Sequence, residues 1–152
     1  NWKGWRQHPY GLYLRGAIVS DRLVLENRNI PIKLSFDQCE FRAGFDFDGA
    51  SINGSLFLRR CRVVGGCSLV SMAIAGQFSA DGAVFDNPGG VALNTQDVKS
   101  LGWFINRATF NGVMDINSAE IGGQVSLIGV AELSRDMPDA ACRILTQTLR
   151  SL

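Results

Sequence analysis

Histidine is almost missing from this chain: there is one, His8, in 152 residues. A Ser-His-Asp or Cys-His constellation would have to be built on that single imidazole, which lies in an N-terminal stretch with no fixed partner. Cys39, Cys61, Cys67 and Cys142 form no CxxC pair, and one histidine cannot complete a Cys2His2 zinc site. No run of about 18 apolar residues occurs, so no segment reads as a membrane-spanning helix. Glycine-rich nucleotide motifs are also missing: no GxGxxG opens a helix, and no GxxxxGK is followed by Ser or Thr. Charge of one sign is lacking too. Lys plus Arg is 15 and Asp plus Glu is 14, a net charge of +1, which excludes a strongly basic nucleic-acid binder and a strongly acidic mimic of nucleic acid. Only 19% of residues are charged and 46% are apolar, so the chain is not a disordered one.

What is present is a rhythm. Val19, Ile30, Phe41, Ile52, Val63, Ile74 and Phe85 follow one another at intervals of eleven, and Phe110 and Ile121 resume the interval after a gap. Two positions before these anchors stand Ala17, Arg28, Cys39, Ala50, Cys61, Met72, Ala83, Ala108 and Ala119, a slot that favours small side chains. Four positions after them come Leu23, Leu34, Phe45, Leu56, Cys67, Phe78, Gly89, Met114 and Val125, and six after come Leu25, Phe36, Phe47, Leu58, Leu69, Ala80, Val91, Ile116 and Leu127. Glycine recurs two residues after the anchor at 54, 65, 76, 112 and 123. A spacing of two places residues on one side of an extended segment. The glycine between the pairs offers a turn. A helix would repeat its apolar stripe at three and four instead.

Eleven residues would close too flat a loop to hold inward Phe. Twenty-two give four short sides, with Ile30, Ile52 and Ile74 stacked in one column and Val19, Phe41, Val63 and Phe85 in another. Successive coils would lie about 4.8 Å apart. The expectation is an all-β parallel β-helix, quadrilateral in section, of about 22 residues per coil and about five coils.

Ala17-Ile-Val19, Ala50-Ser-Ile52-Asn-Gly54, Ala108-Thr-Phe110-Asn-Gly112 and Ala119-Glu-Ile121-Gly-Gly123 resemble the unit of the pentapeptide-repeat proteins. The resemblance covers about residues 12–130, with eleven-residue units replacing ten. It implies a right-handed quadrilateral β-helix. The same unit is similar to bacterial chains labelled "membrane-associated oxidoreductase", which implies an enzyme subunit or domain with its site outside this fragment.

Phe85 to Phe110 is 25 residues, two units plus three. We expect a loop bulging near 86–102, two extra residues in Asp86-Asn-Pro88-Gly-Gly90, Val98 as an irregular anchor, and a third extra residue near Leu101-Gly102. Residues 138–152 read as an amphipathic helix with Asp136 as its cap, suited to covering the open C-terminal coil or to a homodimer contact. Residues 1–11, with Trp2, Trp5 and Tyr10, read as a lead-in or cap, 12–130 as the solenoid, and 131–152 as linker plus helix. Both ends read as cuts from a longer protein. The tripeptide Asn53-Gly54-Ser55 fits a glycosylation sequon with nothing else to suggest secretion.

No catalytic residue, metal ligand or cofactor site is expected. Asp46 and Asp48 alternate with inward Phe45 and Phe47, so both should face solvent. Cys39 and Cys61 should stack within disulfide distance yet read as buried thiols. Arg59 should lie between Asp37 and Asp81 on neighbouring coils. Residues 1–62 carry ten basic and six acidic side chains, and 63–152 carry five and eight. Arg59, Arg60 and Arg62 form a basic corner that, with Trp103, makes the candidate interaction surface. The function expected is a non-enzymatic scaffold presenting a flat surface to another protein, with no nucleic acid, in the cytoplasm or peripheral to a membrane. The alternative is the oxidoreductase subunit or domain.

Overall fold

The computed structural model describes residues 7–8 and 11–132. The helix expected at 138–152 and the aromatic lead-in at Trp2, Trp5 and Tyr10 lie outside the described residues. Within them the chain winds into a parallel β-solenoid of about five coils. Each of the first three coils contributes four short strands, one to each wall. The first wall stacks Gly11–Arg15, Leu34–Asp37, Leu56–Arg59, Gln77–Ser79, Gly102–Phe104 and Val125–Ser126. The second begins with Ile18–Val19 and Glu40–Phe41, the third with Leu23–Val24 and Phe45–Asp46, and the fourth with Asn29–Ile30 and Ser51–Ile52. Later, the long strands Val84–Asn94 and Thr109–Asp115 run through the second and third walls together. One pairing is antiparallel, Gln7–His8 folding back on the first wall.

The expected columns are present. Ile30 pairs with Ile52 and Ile52 with Ile74, while Val19, Phe41, Val63, Phe85 and Phe110 pair in succession. Inside the walls Phe41, Phe45, Phe47, Leu56, Leu58, Val63, Leu69, Phe78 and Phe85 are completely buried. Aromatic rings knit neighbouring walls, with Phe41 edge-on to Phe45 at 5.4 Å and Phe45 stacked on Phe47 at 4.6 Å. Arg28, the odd member of the small slot, belongs to the first coil and is exposed there.

The repeat turns twice, once at the corner after the anchor, where Gly54, Gly65 and Gly112 take positive φ, and once just before the small slot. Left-handed residues occur at Gly16, Asn27, Gln38, Gly49, Arg60, Ser71 and Gly82, eleven apart, and again at Asp97, Arg107, Ser118 and Gly129. Each immediately precedes the small slot. Tight turns close there: the Ala50 amide donates to Phe47 O at 3.0 Å and the Met72 amide to Leu69 O at 3.1 Å. The left-handed residue is third in such a turn, the place where type II geometry demands positive φ. Of the glycines two after an anchor, Gly76 and Gly123 do not adopt positive φ.

The bulge expected near 86–102 is confined to one corner, between Asp86 and Leu93. Corners normally separate anchor and next wall by four residues, as in Phe41 to Phe45; here Phe85 to Leu93 takes eight, while Phe85 stacks on Phe110 and Leu93 on Met114. Four residues therefore enter as a bulge at this one corner, where Pro88 and Gly89 are exposed. One residue is then lost. Ile74 to Phe78 spans four residues, but their counterparts Ser100 and Trp103 are three apart. Plus four and minus one make the excess of three. Ser100, not Val98, takes the anchor position, opposite Ile121, and Val98 fills the small slot. Val91 is pushed out to 38% exposure, and Leu93 and Thr95 face inward in place of Gly89 and Val91.

Substitution at the left-handed corners should separate two effects. Ser71 (φ 56) to Gly relieves a strained backbone and should raise stability by up to about 1 kcal/mol. Gly49→Ala at φ 66 places a Cβ against the Asn27 side chain and should lower it by about 1–2 kcal/mol, both read from urea denaturation midpoints.

Candidate interaction surface on the first wall

Side chains facing outward from the first wall form three parallel rows, because register is kept from coil to coil. The middle row alternates aromatic and serine: Tyr13 pairs with Ser35, Ser35 with Phe57, Phe57 with Ser79, Ser79 with Phe104, and Phe104 with Ser126. Rings two coils apart leave room to lie over the serine between them. Ser35 and Ser79 are accordingly buried, and the Ser79 hydroxyl has no hydrogen-bond partner.

The next row carries charge. Arg15 and Arg59 both pair in register with Asp37. The expected ion pair from Arg59 does not form; its neighbour Arg60 makes it instead. The left-handed backbone at Arg60 (φ 54) swings that side chain back over the preceding coil. Its guanidinium grips both Asp37 oxygens at 2.7 Å, with a third bond from Nε at 3.0 Å. Tyr13 Oη also donates to Asp37, at 3.2 Å. Asp81, the other expected partner, accepts the backbone N–H of Asn106 at 2.8 Å. Arg59 lies over the Phe57 ring, 4.3 Å from its centroid, and Lys33 Nζ is 5.5 Å from the same centroid. Arg62 pairs with Asp86 at 3.2 Å.

Trp103 was expected at the surface and is 1% exposed. The shortened corner before it turns its indole into the column between Phe78 and Val125, edge-on to Phe78 at 5.9 Å, and its Nε1 finds no partner. It belongs to the core, so Phe104, one residue on, is the aromatic side chain the surface carries.

Asp46 and Asp48 are half-buried, not free in solvent. Asp48 accepts the Val70 N–H at 2.9 Å and a bond from the Ser68 hydroxyl, and Asp46 accepts the Asp48 N–H at 3.0 Å. The carboxyl of Glu26 is pushed above its ordinary value by a hydrogen bond with Asp46 and by that neighbour's charge. Among the described residues no three His, Cys, Asp or Glu side chains gather as a metal site would require. Cys39, Cys61 and Cys67 are free and buried. Each thiol donates to a backbone carbonyl: Cys61 to Phe36 O at 3.3 Å and Cys67 to Ala92 O at 3.0 Å. Burial pushes the Cys61 thiol up to about 12 and raises Cys67 further.

Two concavities complete the surface. An open trough of about 710 Å³ crosses the fourth wall over Ser51, Ala73 and Ala75 beside Lys99 and Glu120. An apolar mouth of about 300 Å³ opens among Leu14, Val19, Leu23, Leu25 and Ile30 of the first coil. Comparison with known protein families, characterised proteins and solved structures finds no match for this chain. No helix among the described residues is long and apolar enough to cross a membrane.

Two outcomes are expected. Asp37→Asn removes the charge and one of the two acceptor oxygens that Arg60 and Tyr13 share and should cost about 1–3 kcal/mol, whereas Arg59→Ala should cost under about 0.5 kcal/mol, by chemical denaturation. The raised Cys61 keeps its proton when folded and sheds it when unfolded, so its contribution is intact below pH 9 and declines toward pH 12. Stability should therefore fall across that interval, less steeply in Cys61→Ala.

Proposed function

We propose that the chain is a non-enzymatic scaffold that presents a rigid patterned face to another protein. The observation that supports this reading most directly is the filled interior. Side chains from all four walls meet at 0–3% exposure over the central coils, which leaves chemistry to the outer faces. On those faces several charges are spent on structure, as the Asp37–Arg60 and Asp86–Arg62 pairs illustrate. The first wall is the face we assign, because its outward rows hold aromatic and cationic groups together. Right-handed winding, as in the pentapeptide-repeat proteins the sequence resembles, follows the preference of parallel crossovers. The free thiols suit a reducing compartment and support reading the scaffold as cytoplasmic.

A face-by-face scan tests the reading. Phe57→Asp on the first wall, Arg42→Glu on the second and Ala73→Arg on the fourth each alter one outer surface. We expect co-purification of a specific partner to be lost with Phe57→Asp alone while the circular dichroism of all three stays unchanged. A bound flavin or metal on the purified protein, seen by absorption or elemental analysis, would count against it and favour the oxidoreductase alternative.

A further inference from the structure

Within the scaffold reading, on which this inference rests, we propose that the Lys33–Phe57–Arg59 cluster is a docking site for an extended acidic segment of a partner protein. Arg59 is a spare cation by construction. Register sets it between Asp37 and Asp81, but Asp37 is occupied by Arg60 and Tyr13, and Asp81 by the Asn106 amide. Lys33, on the other side of Phe57, also lacks a carboxylate partner among the described residues. In contrast, Arg42, Arg60, Arg62 and Lys99 each have one within 4.0 Å.

Both free cations are held against one ring, at 4.3 and 5.5 Å from its centroid. Arg59 is exposed and spends its face on the ring, so the edge of its guanidinium fork remains open to a carboxylate. Stacking lowers the entropy lost when that carboxylate arrives. Tyr13 and Phe104 stand two coils away on either side, each roughly 10 Å from Phe57 along the rod. A segment lying along the axis can place carboxylates over the cations and apolar side chains on these two rings. A polypeptide suits the site better than nucleic acid or an anionic membrane. Those need an array of cations, whereas in the adjoining row Arg15 and Arg59 are separated by Asp37, so no continuous run of positive charge follows the rod.

Fluorescence anisotropy on the full chain, with a short labelled peptide of interspersed glutamate and tyrosine, tests the inference. Saturable binding that weakens with added salt is expected. Lys33→Glu with Arg59→Glu should lower affinity by at least about tenfold and Arg59→Glu alone by at least about threefold, Phe57→Ala should also lower it, and Arg28→Glu, a single charge reversal like Arg59→Glu but at a corner of the fourth wall, should leave it within about twofold. If the double charge reversal perturbs the circular dichroism, Lys33→Gln with Arg59→Gln replaces it. Absence of binding, or an equal loss with Arg28→Glu, overturns the proposal. So does tighter binding of oligothymidine or phosphatidylserine vesicles through the same residues. If the peptide fails while partner capture still maps to the first wall, this inference falls and the scaffold reading stands.

Discussion

The structure depends on the backbone ladder between coils. Each coil donates to the next along the rod, as Leu12 N to Lys33 O and Leu34 N to Ser55 O show, so every inner side chain is forced onto its counterpart one coil away. A misfit cannot be hidden by sliding, because a one-residue slip would turn the whole inner set outward. The stacked Ile column, the alternating Val and Phe column and the small residues beside each anchor are answers to that demand. Where the first coil has no described neighbour beyond it on three of its walls, the same residues are only half-buried, which shows how much of the packing each coil borrows from the next.

The solenoid was legible because hydrocarbon burial writes directly on sequence periodicity. Three other features were not legible, each for a physical reason. The left-handed corners are occupied by Asn27, Gln38, Arg60, Ser71, Asp97, Arg107 and Ser118 as well as by glycine, so no single residue type marks them. Glycine two places after the anchor was the more visible signal, yet some of those glycines answer crowding: at Gly76 a Cβ would strike the Ser55 hydroxyl. The pairing of Arg60 in place of Arg59 follows from that same corner geometry, since a left-handed residue throws its side chain backward. Trp103 looked like a surface aromatic until the lost residue before it restored its phase.

The outer surface obeys the same register as the core. Because identical positions recur along the rod, a row of side chains on a wall is a row in space. Aromatic and serine can therefore alternate with the regularity of the coils, and an Arg–Asp row can lie beside them. Rows of this kind are fixed by the interior, not by their own modest interactions, each worth at most about 1 kcal/mol at an exposed site. A recognition pattern on such a rod is rigid before any partner arrives, which limits the entropy lost on association.

The corner at 86–92 has a wider meaning. Four residues were added there and one was subtracted before Trp103, yet Phe110 and Val125 still sit on their columns. The winding thus behaves like text with editable margins. Length changes confined to bends are absorbed locally, whereas the same change inside a wall would shear every layer beyond it. Grafted peptides or affinity tags belong at Pro88-Gly89, where the margin already holds four residues more than the other corners need.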